Sequence, residues 1–425
     1  MSHQMKAGAG KARIVFPHDM FPLEGFMDVH DDPHIRILMI ESGERIVIAS
    51  MEIVNLFGDG TELVRRLIAE KCGTKYENVW LHTTHAITTP HPPRVPDKNR
   101  KDIKLPPHMQ DPDAARKREL YFEAVTKAVS CACEQAIVLQ DARLGYGKGT
   151  CDVNVNRDVE TPFGWWVGFN PDGYSCKDLH VLKLENENGQ IIALLVNYGL
   201  KPCAIDNSGM QEGVRRVSSD LPGYACTIVE ERLNTVCLYI MSAAGDQVPK
   251  EMALFERVSE DGFVEKIDLG VEKGLEIVRQ YGAVLGADIL STANAVSCNV
   301  SSADIRRGYG EINCLTKGRI RMQPRKQVEY TCEKDAAVSA DVIALGDIAF
   351  VAVKPEVNAI TESQLQAKSP FKTTLVFSMT NGDMKYMPDK AAYERITWES
   401  QSAMLTQGAA ENWVEKAAQV LKQVH

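Results

Sequence analysis

The chain has 425 residues, 44% of them hydrophobic and 25% charged, with a net charge of −9 and a pI near 5.7. This composition excludes disordered and fibrous classes, and the acidic balance argues against nucleic acid as a partner, because phosphate binding requires a basic surface. No apolar run is long enough to cross a bilayer, no signal-peptide core begins the chain, and the 11 irregularly spaced cysteines are untypical of a disulfide framework, so we expect a cytoplasmic, reduced protein.

The first third of the chain predicts strands, a helix, a loop and a second helix. Apolar and alternating runs within residues 11–60 are typical of strands. Residues 59–72 and 114–138 have helical periodicity. Between these helices, residues 94–113 are basic and rich in proline. Loops of this length are either lids over a site or solvated linkers, and the sequence leaves both readings open.

The remainder of the chain interleaves strands with helices. The predicted strands are 151–157, 180–184, 191–196, 236–241, 296–332, 341–353 and 375–379. The predicted helices are a segment that ends at residue 233, then 268–294 and 408–424. This alternation predicts an α/β fold, with mixed α+β as the alternative, built of layered mixed β-sheets flanked by helices. No linker divides the chain, so we expect residues 1–425 to form a single domain.

Three histidines lie where a predicted strand ends. The strand contains Val79–Leu81, and His82, His85 and His91 follow before a proline-rich segment. Imidazole is the commonest metal ligand and titrates nearest neutrality. A single histidine of this kind is more often satisfied by a backbone carbonyl, but the cluster favours a functional site.

Other predicted strands also end in short polar segments, which we call tips. The tips are His85, Asn156-Arg157, Lys201, Asp220, Asp246, Glu356 and Tyr386. Loops at strand ends are where catalytic groups collect on a rigid scaffold. One tip is easily a coincidence, whereas the series predicts one shared site.

In this order the tips resemble the neutral (non-lysosomal) ceramidase family, zinc-dependent amidases that cleave the N-acyl bond of a sphingolipid. The landmarks are Lys6–Arg13, Pro22–Gly25, His30–Pro33, Thr84-His85 to Pro90, Asn156-Arg157, Asn197–Gly199, Ser219–Tyr224, Ala244–Asp246, Pro355-Glu356 and Tyr386–Pro388. The resemblance covers nearly the whole catalytic region and implies a neutral-ceramidase-like catalytic domain without the family's C-terminal β-sandwich. No single motif is highly specific, but the ordered series is.

Carried over, the resemblance implies that His85, Glu356 and Tyr386 are zinc ligands, and Arg157 matches the arginine of the family's Asn-Arg motif. A zinc ion held by nitrogen and oxygen ligands with an open position polarises a carbonyl and activates water. The family's second zinc-binding histidine, however, falls on Lys201. His82, His91 or His30 is the candidate to replace it.

Two further positions depart from the family pattern. A histidine that is an acid/base candidate falls on Ile87, and the presumed serine nucleophile falls on Val248. Lys201 itself has two open readings. A buried lysine away from carboxylates has a depressed pKa and can act as a base or Schiff-base former, whereas beside Glu356 it stays charged and pairs.

We therefore expect a metal-dependent hydrolase of an amide or ester bond, in which metal-activated water replaces the serine and zinc is the cofactor. The predicted catalytic residues are Lys201, Arg157, Asp246, Asp220 and His91, and the predicted metal ligands are His85, Glu356, Tyr386 and His82. The alternatives are a lyase or isomerase that uses Lys201, and a non-catalytic binding protein. The partner is a small-molecule substrate, without nucleic acid or an integral membrane segment, and homo-oligomerisation stays open.

Two features of the sequence bear on the substrate. The basic segment 94–104, together with Arg157 and Lys201, favours an anionic group such as a carboxylate. An aromatic loop at residues 163–166 could supply an apolar wall.

Overall fold

The structure, a computed structural model, describes residues 3–95, 111–382 and 384–425. Its strands are β1 (Lys6–Arg13), β2 (Phe26–Val29), β3 (His34–Ser42), β4 (Glu44–Met51), β5 (Val79–Thr83), β6 (Gln140–Thr150), β7 (Asn154–Thr161), β8 (Gly164–Asn170), β9 (Asp178–Asn186), β10 (Ile191–Tyr198), β11 (Arg215–Val217), β12 (Val236–Met241), β13 (Gln247–Pro249), β14 (Leu254–Val258), β15 (Val264–Asp268), β16 (Ile305–Lys317), β17 (Cys332–Leu345), β18 (Ile348–Ala352), β19 (Glu356–Val357), β20 (Thr373–Phe377) and β21 (Tyr386–Met387). Its helices are α1 (Phe57–Cys72), α2 (Ala114–Ala136), α3 (Asp220–Leu233), α4 (Val271–Ala295), α5 (Ala359–Lys368), α6 (Lys390–Arg395), α7 (Trp398–Ser402) and α8 (Ala409–Val424).

A large mixed sheet lies at the centre, with the strand order β12-β10-β9-β6-β1-β3-β4-β5. Its inner neighbours are antiparallel, but the edge strands β5 and β12 each run parallel to the strand beside them. β3 shows why its sequence is a continuous apolar run. Ile35 and Ile37 face one apolar cluster while Leu38 and Ile40 face another, so both sides of the strand are buried.

A second sheet, β16-β17-β18-β20, packs face to face on the first. Trp80 of the large sheet meets Phe377 of the second sheet edge to face, with ring centroids 5.8 Å apart. The outer face of the large sheet is covered by α1 and α2 on one half and by α3 and α4 on the other. The outer face of the second sheet is covered by α8, whose Trp413 is fully buried. The molecule is therefore layered helix–sheet–sheet–helix.

The packing of α2 on β1 explains a glycine pair in the sequence. A Cβ atom at Gly8 would lie 2.2 Å from the carbonyl oxygen of Ala136, and one at Gly10 would lie 2.1 Å from that of Ala132. Because no side chain fits these distances, only glycine lets the helix backbone approach the strand this closely.

The predicted class, mixed sheets flanked by helices, is confirmed, and α2, α4 and α8 begin and end within a few residues of the predicted helices. Two local predictions were wrong. Residues 164–166 belong to β8 instead of an aromatic loop, and residues 318–331 between β16 and β17 contain no strand. Most of the predicted lid lies outside the described residues. Within the described chain, no helix is both long and apolar enough to span a membrane.

Candidate functional site at the strand ends

Residues from the large sheet and from two smaller sheets, β19-β21 and β13-β7-β8, meet at one place. His85 follows β5 and Lys201 follows β10, while Glu356 and Tyr386 begin β19 and β21. Arg157 lies within β7 beside them. The fold thus brings together five of the residues that the sequence predicted as one site.

Glu356 and Tyr386 are held opposite each other by a short parallel ladder. β19 pairs with β21 so that Glu356 is in register with Tyr386, and the amide of Glu356 donates to the carbonyl of Lys385 at 2.7 Å. The Glu356 side chain is fully buried. Burial alone would raise its pKa, but His85 and Lys201 outweigh burial and hold the pKa at about 2. Glu356 is therefore a carboxylate at neutral pH.

His85 contacts this carboxylate from the large sheet. Its Nδ1 lies 2.5 Å from Glu356 Oε1, and its side chain is 16% exposed against 1% for Glu356. The backbone of His85 has φ = 59°, in the left-handed region that residues with a Cβ adopt at a cost in energy. Strained residues of this kind cluster at functional sites, where the surrounding structure holds them in place.

Lys201 is the centre of the cluster. Its Nζ lies 2.8 Å from Glu356 Oε2 and donates to Tyr386 Oη at 2.6 Å. Burial and the charge of Arg157 lower the pKa of Lys201, but Glu356 and Tyr386 outweigh them and leave it above its ordinary value. Lys201 thus has the paired, protonated arrangement and not that of a neutral amine.

The loop that carries Lys201 is anchored on both sides. Before it, Tyr239 Oη donates to the carbonyl of Leu200 at 2.7 Å. After it, Asp220 accepts from the amides of Ala204 and Ile205 at 3.2 and 3.3 Å. These bonds hold the backbone of the loop on both sides of Lys201.

Arg157 is the second buried cation of the cluster. Its Nε donates to Glu399, which is fully buried, and its guanidinium lies 5.4 Å from the ring centre of Tyr386 and 4.9 Å from that of Trp398. Burial lowers the pKa of Arg157, but Glu399 and Tyr386 outweigh burial and raise it well above its usual range. Each buried cation of the site is therefore compensated by one buried glutamate.

The expected zinc ligands do not form a site that fits zinc. A metal ion needs deprotonated ligand atoms directed at one point. Glu356 and Tyr386 instead both contact the ammonium of Lys201, and a second cation among them would be repelled by it. Within residues 3–95, 111–382 and 384–425, no group of three or more His, Cys, Asp or Glu side chains could hold a metal ion.

We expect purified protein to retain far less than one zinc ion per chain after dialysis against zinc and then against buffer. We expect Lys201→His, which puts a neutral imidazole where the ammonium lies, to bring retention to about one zinc ion per chain. Elemental analysis of wild type, Lys201→His and the double variant Lys201→His/His85→Ala is the measurement. Stoichiometric zinc in the wild type, or no more zinc in Lys201→His than in the wild type, would contradict this prediction.

His82, the other predicted ligand on β5, uses both ring nitrogens within the core. Its Nδ1 donates to the carbonyl of Ser378 at 2.8 Å, and its Nε2 accepts from the amide of Met241 at 3.0 Å. Burial lowers its pKa to about 3, so the ring is neutral. His82 thus joins the two sheets through backbone groups.

Replacing His82 by alanine would leave those two backbone groups unpaired and create a cavity. We expect a loss of about 3–5 kcal/mol in the free energy of unfolding at neutral pH. Because the folded pKa of His82 is depressed, the wild type loses stability as the pH falls below about 6.5, where the unfolded chain takes up the proton. Denaturant unfolding of both proteins at several pH values measures both effects, and an unchanged pH dependence in the variant would contradict the assignment.

Three other predicted residues make contacts outside the cluster. His91 pairs through Nδ1 with Glu24 at 2.9 Å and stacks on Phe57. Asp220 anchors the loop of Lys201, as described above. Asp246 accepts from Asn156 Nδ2 at 3.0 Å and from the amide of Ala359, the first residue of α5, at 2.9 Å. Burial raises the pKa of both Asp220 and Asp246 to about 6.

Glu399, the partner of Arg157, was not among the predicted site residues. The two residues are 242 positions apart. A buried arginine requires an acidic partner, but nothing near Arg157 in the sequence says which of the many acids supplies it. Only the fold places α7 beside β7.

The two remaining departures from the family pattern lie together. Val248 is buried in an apolar cluster with Val155 and Cys203, and Ile87 packs against it. The positions of the expected nucleophile and of the expected acid/base histidine are therefore one continuous apolar surface beside the Lys201 loop.

Comparison with solved structures agrees with this architecture. A neutral ceramidase from Pseudomonas aeruginosa matches with a TM-score of 0.70 and 16% identity over 100% of this chain and 75% of that chain. A ceramidase complexed with C2 matches with a TM-score of 0.71 and 15% identity over 99% of this chain and 76% of that chain. No family model and no curated protein matches the sequence. The chain has a neutral-ceramidase-like fold, as the ordered strand-end motifs predicted.

Proposed function

We propose that the chain is a hydrolase of an amide bond in a small substrate, and that His85, oriented by Glu356, is the general base for the attacking water. The observation that carries the proposal is the contact of 2.5 Å between His85 Nδ1 and Glu356. His85 is also the most exposed member of the cluster, since the side chains of Glu356 and Lys201 are 1% and 2% exposed. A partly exposed histidine held by a buried carboxylate is the usual arrangement of a general base.

Tyr386 supplies the acid in this proposal. Its phenol oxygen accepts a hydrogen bond from Lys201 at 2.6 Å, so its own proton is free to be donated elsewhere. The charges of Lys201 and Arg157 polarise that O–H bond. The phenol can then stabilise the oxygen that becomes negative when water attacks the carbonyl, or protonate the leaving nitrogen.

The choice of reaction is supported by the fold and by the charge of Lys201. Both matching structures are ceramidases, and the strand-end motifs resemble amidases of that family. Metal-activated water is not part of the proposal, because the residues around Lys201 do not fit zinc. A lyase or isomerase that forms a Schiff base requires a neutral amine, whereas Lys201 is an ammonium paired with Glu356.

The substrate is expected to have an apolar part next to the amide. Ile87, Phe169 and Met252 are the partly exposed members of the apolar cluster around Val248, so they can contact an acyl chain. Lys201 and Arg157 are neutralised by Glu356 and Glu399. These two cations are therefore not free for an anionic group, and most of the basic segment 94–104 lies outside the described residues.

The test is a hydrolysis assay in the presence of a metal chelator. Purified wild type and His85→Ala would be incubated with N-acyl amino acids and with short-chain and long-chain ceramides, and the released acid and amine would be quantified by mass spectrometry. Turnover by the wild type that is lost in His85→Ala supports the proposal. No release from any substrate, or equal release by both proteins, would sink it.

One observation favours a second function, a non-catalytic binding protein. The two buried cations of the cluster are each ion-paired with a buried glutamate, Lys201 with Glu356 and Arg157 with Glu399, as in a site that no longer needs a metal or a charged substrate. The same set of compounds distinguishes this alternative, because a binding protein would be stabilised thermally by a compound that it does not cleave.

A further inference from the structure

Two buried acidic side chains, Asp158 and Glu399, lie beside Arg157. Asp158 follows Arg157 on β7 and is 1% exposed, and Glu399 on α7 is fully buried. The two carboxyl groups are close enough for each to shift the pKa of the other, upward for Asp158 and downward for Glu399. Such a pair is unusual because two carboxylates in contact repel each other.

The surroundings of Asp158 supply no hydrogen-bond donor to it. Among the described residues, neither of its carboxylate oxygens accepts from an N–H or O–H group, and Oε2 of Glu399 also lacks a donor. The guanidinium of Arg395 on α6 is 3.7 Å from Asp158 Oδ2, which is too far for a hydrogen bond. Arg157 donates to Glu399 and not to Asp158.

Asp246, unlike Asp158, has a hydrogen-bond donor for each carboxylate oxygen. It is also a buried aspartate that faces this region, but each of its oxygens accepts from an N–H group, one from Asn156 and one from Ala359. Asp246 is therefore satisfied as a carboxylate. Asp158 is not, and an ionised carboxylate in its position would be strongly unfavourable.

We propose that Asp158 and Glu399 hold one proton between them, carried by Asp158, and that Asp158 is thereby a positioning residue for Arg157. The proton turns one acceptor into a donor and creates an O–H···O bond from Asp158 to Glu399. Glu399 then stays negatively charged and pairs with Arg157, while the hydrogen bond from Asp158 holds its carboxylate in place. Arg157 in turn is held against the ring of Tyr386.

The ionisation behaviour agrees with this geometry. Burial, followed by the charges of Glu399 and Asp246, raises the pKa of Asp158 well above its usual range, and Arg395 offsets only part of this. Burial also raises the pKa of Glu399, but Arg157 outweighs it and leaves the pKa lowered. These are the charged groups that face the pair from β7, α6, α7 and the segment before β13.

The first test compares Asp158→Asn with Asp246→Asn. The amide of Asp158→Asn can still donate to Glu399 but cannot ionise. Because the folded pKa of Asp158 is raised, the wild type loses stability as the pH rises from about 4, where the unfolded chain ionises. The ratio of the unfolding constant of the wild type to that of Asp158→Asn should therefore rise with pH, by up to about tenfold per pH unit. The rise ends at the pH where Asp158 ionises in the folded protein. Asp246→Asn places an amide N–H against one of the two N–H donors, Asn156 and Ala359, and should therefore be less stable than the wild type at every pH.

The second test begins with the wild type, whose spectrum can by itself overturn the proposal. An infrared spectrum of the wild type at about pH 8 should contain the carbonyl band of a protonated carboxyl group, at a pH where Asp246, with a pKa of about 6, is ionised. The band should be lost in Asp158→Asn and kept in Asp246→Asn. Its absence from the wild type would overturn the shared proton, and so would equal pH slopes of the wild type and Asp158→Asn.

The positioning role has its own readout. Asp158→Ala should release Arg157 from the ring of Trp398, which changes the tryptophan fluorescence, and Asp158→Asn should restore the wild-type spectrum. Unchanged fluorescence in Asp158→Ala would refute the positioning role. None of these measurements uses turnover, so they are independent of the proposed hydrolysis.

Discussion

Replacing Lys201 by methionine is expected to lower the free energy of unfolding by about 3–5 kcal/mol, the usual effect of removing one partner from a buried ion pair. The change leaves Glu356 charged and fully buried with only His85 beside it, and it removes the donor to Tyr386. Methionine has nearly the length of lysine, so the loss of packing is small. Denaturant unfolding at neutral pH measures the effect.

A double-mutant cycle isolates the charge from the packing. Lys201→Met/Glu356→Gln removes both charges, and we expect it to be more stable than Lys201→Met alone. Lys183→Met is the matched control, because Lys183 is also buried and paired, with Glu185 at 2.7 Å, but lies outside the site. Its partner is more exposed, so the loss should be smaller. Equal losses in the two lysine variants, or additive effects in the cycle, would contradict a special role of the Lys201–Glu356 pair.

Replacing His85 by alanine is expected to lower kcat/KM by about 10²–10⁴-fold toward any substrate that the wild type hydrolyses, the usual contribution of a general base. The physical reason is that no other imidazole in the described chain touches Glu356. Glu356→Gln should also lower the rate, because the amide cannot orient the imidazole as the carboxylate does. Steady-state kinetics with a chelator present is the measurement.

His34→Ala is the matched control for that experiment. His34 also pairs with a buried glutamate, Glu52 at 3.3 Å, and its side chain is 20% exposed against 16% for His85. It lies on β3, outside the cluster. If His34→Ala and His85→Ala lowered the rate equally, the effect of His85→Ala would reflect general destabilisation and not catalysis.

The pH dependence of the rate is not expected to report on Glu356. Since the pKa of Glu356 is about 2, a fall in the rate at a pH above 4 would come from another group.

The elements of the fold followed from local patterns. α2, α4 and α8 are long amphipathic segments whose periodicity is set by neighbours a few residues apart. The buried strands β10, β12 and β18 are short apolar runs between turns. Prediction failed at residues 164–166, which appeared as an aromatic loop in the sequence but pair with the neighbouring β7 as an antiparallel hairpin. Gly164 also lies against the backbone of Arg325, a contact that only the fold brings about.

The sequence by itself determined which residues could carry chemistry and that they stand at strand ends. It also determined that Lys201 would be charged if it lay beside Glu356. Whether it does was decided only by the tertiary structure, because residues 85, 201, 356 and 386 meet through strands of two different sheets. The same holds for Glu399, whose pairing with Arg157 spans 242 positions. Spacing in sequence carries information about one helix or strand, whereas ion pairs and pKa values depend on which distant groups share a buried volume.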